Sequence, residues 1–256
     1  MFPILFSVGP FTIHTYGALL ALGALLGIWT IHRQAKKTTD VNPDHAVNLA
    51  FWLLLVGLLG TRVFFVFLEP EGFIEKPWRF FALWEGGLVF YGGIAFAVPV
   101  GVFLVRRWKL PLLSYMDVVA PGLALAQGFG RLGCFSAGCC YGLPWDGACS
   151  VIFSDPHTQA PRNIPLHPAQ LYSALELFAL FGLLIWLSKR RRFAGQIFFT
   201  YGLIHGVSRL VIEQFRGDWR GETLVAGITV TGLLALLLAL ASAGALIYLN
   251  RRSKQT

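Results

Sequence analysis

Seven apolar stretches, at about residues 12–31, 46–68, 86–105, 112–130, 170–188, 195–213 and 224–249, leave this chain few ways to fold. A bilayer core about 30 Å thick takes roughly 20 apolar residues per helix, and each stretch reaches or approaches that length with few charges. Asp117 interrupts the fourth and Glu176 the fifth. A chain that is 55% hydrophobic and 13% charged cannot cover itself with a water-soluble surface. The expectation is an all-α integral membrane protein of about seven transmembrane helices. A cleaved leader carries positive charge ahead of its apolar stretch. Here the first basic residue, Arg33, follows it, so the first stretch reads as a retained helix.

The formal net charge of +8 would suggest nucleic acid in a soluble protein, but its placement says otherwise. Arg33, Lys36 and Lys37 follow the first stretch, and Arg106, Arg107 and Lys109 the third. Lys189, Arg190, Arg191 and Arg192 follow the fifth, and Arg251, Arg252 and Lys254 the seventh. Every cluster follows an odd-numbered stretch, which puts the N-terminus outside and the C-terminus in the cytoplasm. Glu69, Glu71, Glu75, Glu85, Asp146, Asp155, Asp218 and Glu222 fall in the opposite loops. The basic excess therefore reads as orientation and contact with membrane lipids, with no nucleic-acid partner.

No internal repeat and no flexible linker divides the sequence, so residues 1–256 read as a single polytopic membrane domain. Two sections depart from the apolar pattern. Residues 69–87 contain the aromatic run from Trp78 to Trp84, which suits an interfacial segment. Residues 131–169 form an extracytoplasmic segment holding all four cysteines. Gly23/Gly27, Gly57/Gly60, Gly92/Gly93 and Gly202/Gly206 supply the small residues by which helices pack in lipid.

A charged side chain at membrane depth costs at least about 2.5 kcal/mol and calls for a partner or a task. Arg62, Arg131, Arg209 and Glu213 are such residues, and Arg209 and Glu213, four apart, share a helix face. In the expected topology the even-numbered stretches carry Arg62, Arg131 and Arg209 towards the same outer leaflet. The planar guanidinium fork suits phosphate, and a phospholipid headgroup is the phosphate at that depth. His14, Tyr16, Tyr91, His167, Tyr172 and His205 gather towards the same side. A transporter or a scaffold would also carry intramembrane charges, but a transporter's charges would continue through the bilayer.

Gly130-Arg131-Leu132-Gly133-Cys134-Phe135, running on to Gly142, resembles the signature of the prolipoprotein diacylglyceryl transferases, bacterial inner-membrane enzymes. Further matches are Phe6 to Pro10 with His14 to Gly17, Trp84 to Gly87 with Tyr91-Gly92-Gly93, His167 to Tyr172, and Arg209 with Glu213 and Arg216. The resemblance implies transfer of a diacylglyceryl group from phosphatidylglycerol to the thiol of a prolipoprotein lipobox cysteine, releasing glycerol phosphate. It implies that Arg131 and Arg209 hold the phosphate, Tyr16 lines the site and Glu213 orients Arg209. Arg62, His14, Gly92, Gly93, Cys134, Cys139, Gly142 and Arg216 are expected against substrate. No metal or organic cofactor is implied. The sequence departs from the family pattern where Cys134 replaces Asn, Cys139 replaces Glu and Ala137 replaces a second Asn. Tyr91 stands for a His and His205 for a Tyr. A paralogue with the same phospholipid site and another acceptor fits these departures. If a base is needed, His205 or His14 is better matched to neutral pH than Tyr91.

Cys134, Cys139, Cys140 and Cys149 lie where disulfides persist. Adjacent Cys139 and Cys140 are poorly placed to bond each other. Either Cys134–Cys139 with Cys140–Cys149, or Cys134–Cys140 with Cys139–Cys149, would form a staple. A thiol role in the site and metal binding stay open beside it, although no histidine completes a recognised zinc spacing.

Reporter fusions after residues 36, 108, 190 and 254 are expected to report cytoplasm, and fusions near 72, 155 and 218 the outside. Two reversals among them would remove the orientation.

Overall fold

The computed structural model describes residues 2–8, 11–74, 76–81, 89–218 and 229–255. Gly9, Pro10, Glu75, Glu222 and the stretch 82–88, with Trp84 to Gly87, lie outside the described residues, as does the side chain of Tyr91. The chain is mostly helical. Helices α1 (Thr15–Ala35), α2 (Pro43–Leu68), α4 (Phe90–Arg107), α5 (Leu112–Ala137), α6 (Ala169–Ser188), α7 (Gln196–Glu213) and α8 (Val230–Ser253) fall on the apolar stretches. A short α3 (Glu71–Ile74) and a 3₁₀ turn (Pro77–Phe81) follow α2. Among the described residues five helices, α1, α2, α5, α6 and α8, are long and apolar enough to cross a membrane. Their outward side chains are those of a lipid-facing surface: Phe51, Trp52, Leu54 and Leu55 on α2, and Leu234, Leu237 and Leu240 on α8, are all exposed.

Small antiparallel pairings supplement the helices. Strands β1 (Ile4–Val8) and β2 (Phe11–His14) form a hairpin ahead of α1. The first apolar stretch therefore begins as a strand and turns helical at Thr15. Strands β3 (Val151–Ile152) and β4 (Pro165–Leu166) pair within the polar section. Around them Phe153, Ala160 and Leu166 form a small buried cluster against Phe135 and Tyr141.

Two compact units are distinguishable, residues 31–115 and residues 1–30 with 116–256. In the first, Asn42 caps α2 by accepting from the backbone N–H groups of Asp44 and His45 at 2.9 and 3.2 Å. Helices α2 and α4 then approach so closely that a Cβ on Gly60 would lie 2.6 Å from the Gly92 carbonyl oxygen. One on Gly93 would lie 2.8 Å from the Thr61 side chain. These glycines make the backbone-to-backbone contact that lipid-embedded helices favour. Arg62, 2% exposed, donates through Nε to the Phe80 carbonyl at 3.1 Å and through Nη2 to that of Arg79 at 2.5 Å. Its guanidinium also lies over the Phe65 and Phe73 rings. It thus ties the turn after α3 back to α2.

In the second unit α1 lies on α5, with Gly23 against Phe129 and Gly27 against Gly122 and Ala126. Helix α7 lies on α8, with Gly206 against Ala235 and Ala239. Ala120, Ala124, Leu180, Leu184, Ile197 and Tyr201 form the core that joins α5, α6 and α7. Asp117 explains its own presence in an apolar stretch. Its carboxylate, 3% exposed, accepts from the backbone N–H groups of Gly195 at 2.8 Å, Ile197 at 2.9 Å and Phe198 at 3.0 Å. Arg191 approaches it at 3.8 Å. The start of α7 is therefore capped by a side chain from α5, which satisfies orphan donors and places a negative charge at the positive helix end.

Replacing Asp117 by Ala leaves those donors unsatisfied in the interior, and a loss of about 3 kcal/mol is expected. Replacement by Asn, which keeps one acceptor, is expected to cost less. Thermal unfolding in detergent reads both, and equal stability of the Ala variant would sink the assignment.

Candidate active site

The polar section starts later than the hydropathy suggests, because α5 continues past residue 130 to Ala137. Arg131 and Cys134 are therefore helical residues on its last turns. Gly138, at φ 74, ends the helix in the left-handed region. A Cβ there would run into the Thr158 hydroxyl, so the position takes glycine on both counts. The chain then folds back, with the Cys139 N–H donating to the Cys134 carbonyl at 3.1 Å and Cys140 itself at φ 59. The buried amide of Gln170 on α6 fixes the reversal by donating from Nε2 to the Cys139 carbonyl at 2.9 Å.

Beyond the reversal, residues 141–143 run beside the segment after α7. Leu143 N–H donates to the Phe215 carbonyl at 2.9 Å and Gly217 N–H to that of Tyr141 at 3.0 Å. Gly142 pairs with Arg216 and lies against His167 with no room for a side chain. His167 stacks on Trp145 with centroids 4.3 Å apart and hydrogen-bonds Tyr172 at 3.2 Å.

Around this frame stand the sequence-expected residues. Tyr16, at the start of α1, packs on Gly133, whose added Cβ would lie 3.0 Å from the tyrosine ring. It is within electrostatic range of Arg131 and of the Cys134, Cys139 and Cys140 thiols. Arg131 is half-buried and has no ion-pair partner among the described residues. Arg209 pairs with Glu213 one turn on, Nη1 to Oε2 at 2.7 Å. The other carboxylate oxygen of Glu213 accepts from the Thr229 and Thr231 hydroxyls at 2.7 and 2.8 Å. Arg216 grips Asp218 with Nε and Nη2 at 3.0 and 2.7 Å, and the charges of Cys140 and Glu213 also reach it. His205 hydrogen-bonds Glu176 at 3.3 Å and stacks on Tyr201. Glu176, the interruption of the fifth apolar stretch, thus has a partner on α7.

Arg62 and the buried Gly92 and Gly93 belong to the unit of residues 31–115, where Arg62 holds backbone carbonyls and the glycines make a helix contact. A cleft of about 520 Å³ opens beside Arg62, lined among others by Glu69, Glu71 and Arg79. His14 is exposed on β2, opposite Ile4. The expected staple is absent: all four cysteines are free, and exposed Cys149 stands outside the group formed by the others. Both arrangements with two disulfides required Cys149, so neither describes this structure. Instead the Sγ atoms of Cys134, Cys139 and Cys140 lie within 4.8 Å of one another. Hydrogen bonds with the Cys134 and Cys140 thiols push Cys139 well above the ordinary thiol range. Hydrogen bonds with the other two thiols, aided by Arg216 and Arg131 and opposed by burial, pull Cys140 well below it. Gln170 and Asp117 are positioning residues whose roles the residue pattern does not reveal, since each acts through backbone groups remote in sequence.

Residues 3–248 match the Prolipoprotein diacylglyceryl transferase family. The chain belongs to that family. It is 37% identical over 223 residues to the phosphatidylglycerol–prolipoprotein diacylglyceryl transferase of Clostridium tetani, covering 87% of this chain and 88% of the relative. The protein of that name from Bordetella bronchiseptica is 31% identical over 97% of this chain and 95% of its own length. That from Geobacter sulfurreducens is 31% identical over 88% and 86%. For a diacylglyceryl transferase family member, Arg131 and Arg216 stand within electrostatic range of the Cys140 thiol, and Arg209 is held by Glu213.

Arg131→Lys and Arg209→Lys are each expected to lower transfer by roughly 10²-fold while the protein accumulates in the membrane, because the ammonium lacks the bidentate fork. Arg62→Lys is expected to have a milder effect on transfer and to loosen the turn at residues 79–80. Undiminished turnover in both signature variants would remove them from the site.

Proposed function

We propose that this chain transfers the diacylglyceryl group of phosphatidylglycerol to the cysteine thiol of a prolipoprotein lipobox, in the bacterial inner membrane. The reaction forms a thioether bond from sulfur to the glyceryl carbon and breaks that carbon's bond to the phosphate oxygen. The electron pair leaves with glycerol phosphate, and the thiol proton passes through a base to solvent. The observation that carries the reading is Arg131, a half-buried guanidinium with no ion-pair partner among the described residues, on the stretch that matches the family signature. It receives the phosphate, and Arg209, oriented by the anchored Glu213, shares the charge that develops on the leaving group. Tyr16 closes the site from α1, and His205, steadied by Glu176, is the candidate to accept the thiol proton.

In this reading residues 1–256 form one polytopic domain of seven spans, the N-terminus outside and the C-terminus in the cytoplasm. Support comes from basic residues in the last turns of α1, α4 and α8, the ends that would face the cytoplasm. A second acceptor is favoured by one observation, the thiol group in place of the family's Asn and Glu.

Supplying the protein to cells depleted of their own transferase and weighing the accumulated lipoprotein precursors decides between them. A diacylglyceryl mass increment on the lipobox cysteine is expected. Precursors that keep their unmodified mass, while the protein is present in the membrane, overturn the prolipoprotein acceptor.

A further inference from the structure

Cys134, Cys139 and Cys140 are half-buried free thiols whose sulfur atoms converge within 4.8 Å. Their convergence is imposed by backbone that is costly to form. Gly138 and Cys140 both take positive φ, and a cysteine in the left-handed region is uncommon. The hydrogen bond from Gln170, 1% exposed, to the Cys139 carbonyl holds the reversal in place. A chain that needed only small side chains here has no reason to bring three sulfurs to one point.

Three thiolates are the donor set of thiophilic d¹⁰ cations. In a tetrahedral zinc site with Zn–S bonds of about 2.3 Å, neighbouring sulfurs stand about 3.8 Å apart. The observed group needs to contract by less than about 1 Å to reach that spacing. Zinc(II) with three thiolates carries one net negative charge, and Arg131 and Arg216 are both within electrostatic range of Cys140 to offset it. Three protein ligands with a fourth position open is the pattern of reactive zinc, whereas structural zinc closes its fourth position.

We infer that Cys134, Cys139 and Cys140 hold a zinc-class cation whose open fourth position takes the acceptor thiol. The second half rests on the thioether-forming reaction proposed above. A thiol free in solution is mostly protonated at neutral pH, and a metal-coordinated thiol gives up its proton outright. That proton passes to bulk water. The metal-held sulfur then attacks the glyceryl carbon, the carbon–oxygen bond to phosphate breaks, and the electron pair stays on the glycerol phosphate that leaves. No electron is gained or lost by the metal. Arg131, within electrostatic range of Cys134 and of Tyr16, is the guanidinium that would hold the phosphate end of the lipid near that sulfur.

The full chain, purified in detergent under anaerobic conditions without chelator, is expected to contain about one zinc per chain by elemental analysis. Cobalt(II) substituted for zinc is expected to show intense thiolate-to-metal absorption and tetrahedral d–d bands. A short peptide with a single cysteine is expected to shift those bands and release a proton on binding, while its serine counterpart leaves them unchanged. Iodoacetamide is expected to label Cys149 alone in the zinc-loaded protein and all four cysteines after chelation. Cys140→Ser is expected to lose the metal and Cys149→Ser to keep it. If Cys140→Ser fails to accumulate, the labelling pattern of the unaltered chain carries the same decision. Equal labelling of four thiols with zinc present, or no cobalt thiolate band, overturns the metal site. An unmoved cobalt spectrum with the cysteine peptide overturns the acceptor position. Full transfer by metal-stripped protein sinks the inference and leaves the transferase intact. A peptide-responsive metal site without any transfer to precursors retains the site and removes the reaction.

Discussion

The Asp117 carboxylate is the interaction on which the second unit depends. It comes from α5, yet the groups it satisfies are the first N–H donors of α7. A helix in an apolar environment cannot leave those donors to water. The position of α7 along its own axis is therefore set by α5, and α7 carries His205, Arg209 and Glu213. Because α5 also carries Arg131 and Cys134 towards its other end, one buried contact ties the helix that bears them to the helix that bears Arg209. Glycine contacts then hold α7 against α8, where Thr231 completes the support of Glu213.

Charge in this unit is arranged so that arginines are held by different means. Arg209 is held within one helical turn and Arg216 by a bidentate grip two residues away, while Arg131 has no ion-pair partner among the described residues. A guanidinium already oriented by a carboxylate loses little freedom when a phosphate arrives, whereas an unpaired one offers its whole charge. Together they suit a ligand whose negative charge increases during the reaction.

Much of this was legible from residue order alone. Apolar length marked the helices because lipid demands long uninterrupted runs, and the Arg209–Glu213 pair followed from helical spacing. The glycine pairs marked the α2–α4 and α7–α8 contacts for the same reason. The hairpin before α1 was hidden because its strands are as apolar as the helix they precede. Asp117 and Glu176 looked like defects in their stretches, since a partner 29 or 78 residues distant leaves no local trace. The thiol group was hidden for a different reason. Which cysteines meet depends on two residues taking positive φ after α5, and residue spacing alone leaves disulfides with Cys149, a thiol role in the site and metal binding all open.

Arg62 holds the turn that follows α3 through the main-chain oxygens of residues 79 and 80. These two hydrogen bonds read where the backbone passes. They place no demand on the identities of residues 79 and 80, while they do fix the number of residues between Arg62 and that turn. Related chains should differ there by substitution and resist insertion or deletion, so that this stretch behaves as a ruler of fixed length written in changeable letters.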